Sequence, residues 1–463
     1  MSSTDPNGVV ATWTYSPLGK QTSATYSGSS APAVTSTYDA NGNMIGMTDG
    51  SGTSSHIFDP FGEVTSASNG AGQTIGYGYD ANGDTKSVSY PLPASATWAS
   101  SSTVGYGYDH ADLLNSITDF NGKTIAIADT ADGKPYSVTR GATGDTIETT
   151  YDSTDTPSEI ALNNSTTTLQ SFSYADSPAG DISTETDTPT SSQTPANYAY
   201  DAKGRVTSMT PGTGAALDYG FDPSGNLTTL PGGATATYDD AGELTSSDLS
   251  GTTTRSAYDA DGYRLSAIQG GATVASGTWN GAGELTADSD GAANMSAATY
   301  DGTGLRTSTT VTPSGQSANS QQYVWNAKAA VPEMIIDSGN AYIYGTGVAP
   351  IEQVNLATGL TTYLVTDSLG SVRGAVNSSG ALSSTTSYDA WGNPLTTGGL
   401  TASTPFGFAG GYTDPTGLIY LIKRYYDPAT GQFLSVDPEV RNTLQPYAYT
   451  AGNPVSQTDP TEW

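Results

Sequence analysis

The sequence predicts an all-β protein built from antiparallel hairpins that join edge to edge into one long twisted sheet. Three observations predict it. A phrase made of an aromatic residue, an aspartate, a short turn with glycine and an alternating run recurs from Tyr38 onward. Only 13% of residues are charged, too few to wet the outer faces of a soluble helical bundle. No segment sustains the 3.6-residue apolar period of a helix.

The repeated phrase fixes the elements in order. Clear copies are YDANGNMIG at 38, FDPFGEVTS at 58, YDANGDTKS at 79 and YDHADLLNS at 108. YDSTDTPSE, YADSPAGDIS, YDAKGRVTS and FDPSGNLTT follow at 151, 174, 200 and 221. YDDAGELTS, YDADGYRLS, WNGAGELTA and YDGTGLRTS close the series at 238, 258, 279 and 300. The later copies start 21, 17, 20, 21 and 21 residues apart, so one supersecondary unit repeats and the length is no guide to domain number. Within a unit, aspartate accepts turn N–H groups and glycine takes positive φ without a Cβ clash. Runs such as Arg205-Val206-Thr207-Ser208-Met209 alternate like a strand. Each unit therefore reads as a hairpin with strands of about six residues. The aromatic is expected to stack on its counterpart in the next hairpin. The stretch 310–325, TVTPSGQSANSQQYVW, reads as a long turn, and 342–353 and 361–376 as longer strands.

Composition excludes several functions. The formal charge of −30 disfavours nucleic acid and anionic lipid. No run approaches the roughly 18 apolar residues of a membrane span, and the N-terminus lacks the pattern of a signal peptide. The chain has no cysteine, hence no disulfides or thiolate sites, and its two histidines, His56 and His110, argue against a histidine metal centre. Asp80-Ala-Asn82-Gly-Asp84 and Asp259-Ala-Asp261-Gly262 imitate the start of a calcium loop, but positions 91 and 270 are Pro and Gly where the loop needs glutamate. No cofactor or metal is expected.

The C-terminal stretch carries the remaining signals. RYYDPATGQFLSVDP (424–438), PYAYTAGNPV (446–455) and TDP (458–460) occur in order, after VTDSLGSVRGAV (365–376) and YDAWGNP (388–394). These motifs, with the repeats before them, resemble the Rhs/YD-repeat family of polymorphic-toxin and insecticidal-toxin shell proteins. The resemblance implies a sheet spiralling into a hollow shell, closed by a C-terminal core that plugs one end. It also implies three units: a lead-in over 1–35, the YD-repeat sheet over 36–326 and the repeat-associated core over 327–463.

In that family two core aspartates cut the chain and free a toxin held in the shell, with an arginine assisting. The matching positions are Asp437 and Asp459 as the dyad and Arg424 as the helper. Two close carboxylates share one proton, so one acts as base and the other as acid. Both Asp-Pro-X-Gly glycines are missing here: Asp437 is followed by Pro-Glu-Val and Asp459 by Pro-Thr-Glu-Trp. The sequence ends at Trp463, where the family's cleaved bond would begin. The expectation is a shell or scaffold that encapsulates or displays a toxin-type cargo absent from this chain, in interbacterial competition or toxin delivery. The dyad is expected to be inactive. Self-cleaving aspartic peptidase and glycan-binding surface adhesin are the alternatives. Expected partners are the cargo and a further N-terminal shell part or delivery partner, with glycan as a third, at a secreted or cell-envelope location.

Overall fold

The structure is a computed structural model that describes residues 1–189, 193–396 and 399–458. Its strands form antiparallel sheets of 20, 11, 7 and 4 strands, and each ladder joins strands that follow one another in the chain. Helix among the described residues is limited to single turns such as Leu400–Ser403 and Val440–Thr443. The all-β hairpin architecture is thus the observed one.

Local chemistry forms each hairpin as the sequence implies. Asp39 Oδ1 accepts the N–H groups of Asn41 and Asn43, both at 2.9 Å, and Gly42 closes the turn at φ +84°. The same pattern recurs at Asp80, Asp201 and Asp259, and at Asp152 with Asp155 in the glycine's place at φ +66°. A bulge beside each turn sets the aromatic opposite the residue two after the turn glycine, as in Tyr38 opposite Met44.

The aromatic does something other than stack. Tyr38 Oη donates to Gln21 O at 2.7 Å, Tyr79 to Val64 O at 2.7 Å, Tyr200 to Ile182 O at 2.6 Å and Tyr300 to Leu285 O at 2.7 Å. In these units the acceptor is the second residue after the previous unit's turn glycine. Trp279 and Trp325 follow the rule through Nε1, donating to the carbonyls of Arg264 and Arg306. Pairing between successive hairpins stops short of this rim, as where Gly105 opposite Ser87 is the last pair before Thr85. The splayed ends leave a carbonyl without a backbone donor, and the aromatic tip supplies one. In these Tyr and Trp units the hydrogen bond fixes the aromatic's tip, and Phe58 and Phe221 fill the same position without it.

The sheet is interrupted where continuity to about residue 300 was expected. Leu217–Asp218 pairs backward and Gly220–Phe221 pairs forward, with Tyr219 N–H still bonded to Thr207 O. Tyr323 repeats the device between Asn319–Gln322 and Val324–Asn326, its N–H bonded to Thr307 O. At each point one strand changes sheets about a buried tyrosine. The stretch 310–325 is correspondingly no long turn. It holds the ends of strands Arg306–Pro313 and Asn319–Gln322, because alternating Thr, Ser and Gln suit a strand with one wet face.

The strip winds back upon itself. Asn7 bonds Asp259, Gly281 N–H bonds Ser29 Oγ and Tyr90 Oη bonds Tyr342 O, each pair 252 residues apart. Gly302 N–H meets Asp49 Oδ2 at a separation of 253. An offset near 250 along the first hundred residues means that a second coil lies on the first, and it shortens farther on, to 224 between Arg140 and Leu364 and 188 between Glu185 and Arg373. The Asp-X-X-Gly turns of the second coil seat on the opposite rim of the first. Inward faces of the first coil, including Val88, Val104, Ile117 and Leu162, pack against Ile335, Tyr342, Leu364 and Val376 in one apolar cluster.

Candidate functional site

The region that could carry function is the C-terminal core seated within the coils. Its aromatic centre is Trp391, Phe408, Tyr426, Phe433 and Tyr449, all under 5% exposed. Phe408 stacks on Tyr426, and Tyr426 lies 4.7 Å from Tyr449 between ring centroids.

Buried arginines fasten this core to the coils. Arg306, at 0% exposure, makes two bonds to the carboxylate of Asp414, at 2.5 and 3.0 Å. Tyr323 and Tyr420 lie over its guanidinium at 4.7 and 4.3 Å. Burial alone would lower this arginine's pKa, but Asp414 and the tyrosines outweigh it and hold the charge firmly. Arg264 makes a single, less deeply buried bond to Asp427 at 2.8 Å. Arg373 faces three carboxylates, Glu185 at 2.7 Å, Asp187 at 2.8 Å and Asp367 at 3.1 Å. One guanidinium cannot neutralise three acids out of water. Burial pushes Asp187 up to about 7 and Asp367 up to about 6, against the pull of Arg373.

Of the three residues expected at a catalytic centre, Arg424 lies in strand Arg424–Asp427, 5% exposed, with its guanidinium 3.7 Å from the Phe433 ring centroid. Asp437 starts a turn: Oδ1 accepts Glu439 N–H at 2.7 Å and Oδ2 accepts the Thr443 hydroxyl at 2.8 Å. Asp459 lies outside the described residues.

Sequence reasoning missed the arginine fastenings, although a signal exists. The second position after the turn glycine is apolar and buried in many units, as at Val64, Val206, Leu227, Leu244 and Leu285. Arg264 and Arg306 break that pattern, and both pair with an aspartate of an Asp-Pro turn in the core.

The family model described as teneurin YD-shell matches residues 97–455. The chain belongs to that family. A 42% identity over 81 residues links this YD-shell chain to the tRNA nuclease WapA of Bacillus subtilis (strain 168), covering 16% of the chain and 4% of the nuclease. A 28% identity over 165 residues links it to the double-stranded DNA deaminase toxin A of Burkholderia cenocepacia (strain H111), covering 31% of the chain and 12% of the toxin. Among solved structures, TcdB2-TccC3-Cdc42 superposes with a TM-score of 0.75 at 18% identity, over 100% of this chain and 27% of that one. The Photorhabdus luminescens Tc holotoxin pore gives 0.54 at 15% identity, over 98% and 29%. The YD shell here therefore spans a small part of each relative. No helix among the described residues is long and apolar enough to cross a membrane.

Proposed function

We propose that this YD-shell chain is a scaffold that encapsulates a toxin-type cargo for delivery outside the producing cell. The observation that carries the reading is the return of the sheet upon itself, first at 252 residues, which supports a wall of stacked coils around an anchored core. The units 1–35, 36–326 and 327–463 serve in it as lead-in, wall and plug. Relatives named as a nuclease and a deaminase toxin support a toxic cargo. To test it, a peptide with a single protease site is fused after residue 463. A cargo held by the shell resists added protease until the shell is denatured. Cleavage at the rate of the free peptide overturns the reading.

Self-cleavage ranks second: Asp437 and Asp459 would share a proton and Arg424 would orient one of them. Against it stands the use of both Asp437 oxygens inside its own turn, a structural role.

A further inference from the structure

The seam between the two coils contains a cleft of about 610 Å3 that the cargo reading does not use. The first coil gives it Asp5, Asn7, Trp13 and Tyr26, and the second gives Asp259, Asp261, Tyr263 and Trp279. It exists only where the strip returns on itself.

The lining is chemically one-sided. Three carboxylates face the cleft and no lysine or arginine does. Asn7 Nδ2 donates to Asp259 Oδ2 at 2.9 Å and to Asp261 Oδ2 at 2.5 Å, while its Oδ1 accepts Ala260 N–H. One neutral amide thus serves two anions and leaves their charge uncompensated. Burial, then Asp5 and Asp259, raise the pKa of Asp261. The remaining wall is aromatic: Tyr263 and Trp279 stack at 4.8 Å and 17°, and Trp13 and Tyr26 stand half-buried on neighbouring strands.

These features select among ligands. Anions are repelled. Among the described residues no group of three or more acids converges closely enough to hold a metal ion, so a compact dication is a poor match. A neutral sugar would use the aromatic faces and donate hydroxyls to the carboxylates, but it would leave their three charges uncompensated. An elongated cation uses both, placing an ammonium group at the clustered carboxylates and methylenes along the aromatic wall.

We propose that the seam cleft between Asp5, Asp259 and Asp261 and the aromatic walls of Trp13, Tyr26, Tyr263 and Trp279 binds an aliphatic polyamine that bridges the two coils. Because it touches both coils, the polyamine stabilises the wound state by mass action. The site stands whether or not the shell carries a cargo.

The test is calorimetric titration of the full chain with spermidine at fixed ionic strength, alongside thermal unfolding. Spermidine is expected to bind saturably and raise the melting temperature. Asp5→Asn/Asp261→Asn keeps the turn hydrogen bonds and is expected to weaken binding about tenfold or more. Asp132→Asn/Asp155→Asn, which removes two exposed charges elsewhere, is expected to leave it unchanged. Equal effects of both double variants, or an equal melting shift from Mg2+ at matched charge, would reduce the effect to general screening and overturn the site. Binding of maltotriose in place of spermidine would overturn it as well.

Discussion

Arg306 and Asp414 form a two-pronged ion pair with side chains at 0% and 2% exposure, joining residues 108 positions apart. It ties a strand of the repeat array to the Asp-Pro turn of the core, at a point where water cannot substitute for either partner.

Removing one partner should therefore do more harm than removing both. Asp414→Leu or Arg306→Met is expected to cost about 3–5 kcal/mol, since each strands a buried charge or its hydrogen bonds. The double variant Arg306→Met/Asp414→Leu should recover much of that loss. Urea denaturation of the three variants checks it, and additive losses would show that the pair is not coupled.

The tyrosine tips should follow burial. Tyr38→Phe, at a half-buried site, is expected to cost roughly 0.5–1.5 kcal/mol. Tyr300→Phe should cost more, because its buried hydroxyl also contacts Tyr425 Oη at 2.8 Å. Equal losses at the two sites would count against the capped-carbonyl account.

Glu352 is 1% exposed, and its Oε1 has no hydrogen-bond partner among the described residues. Burial, with a contribution from Asp119, pushes its pKa up to about 8 despite Arg140. The folded state keeps a proton that the unfolded chain releases near 4.5. Stability is thus expected to fall as pH rises from that value to about 8, then level off. Glu352→Gln should raise stability at pH 8 by roughly 1–3 kcal/mol and do little at pH 4. Thermal melts across that range decide it; a pH-independent effect would rule out the titration.

A reporter domain appended after Trp463 should stay attached. Release of the reporter, abolished by Asp459→Asn, would establish a working peptidase. Release only when Gly-Leu replaces Glu462-Trp463 would place the lesion in the substrate loop.

The hairpins were legible because their causes are local: Asp39 and Gly42 meet within four residues, and alternation shows in any six. The place of the repeat tyrosines was misread, since ring size suggested stacking while the acceptor, such as Gln21 for Tyr38, sits 17 residues back. The changes of sheet at Tyr219 and Tyr323 were invisible because each strand reads as continuous. Arg306 could be flagged as an oddity at an apolar position, but its partner could not be named. Contacts across 108 residues leave no periodic trace.

Where the second coil first seats on the first, the return at 252 residues divided by the common spacing of 21 gives about twelve hairpins per turn. Along that part of the seam, length is consequently quantised like the thread of a screw. Whole hairpins can be added or lost there and a turn tip still finds a tip beneath it. A fractional insertion dephases the thread from that point onward. Insertions and deletions in such chains should come in full units, and hybrids between two of them should be spliced at equivalent turns.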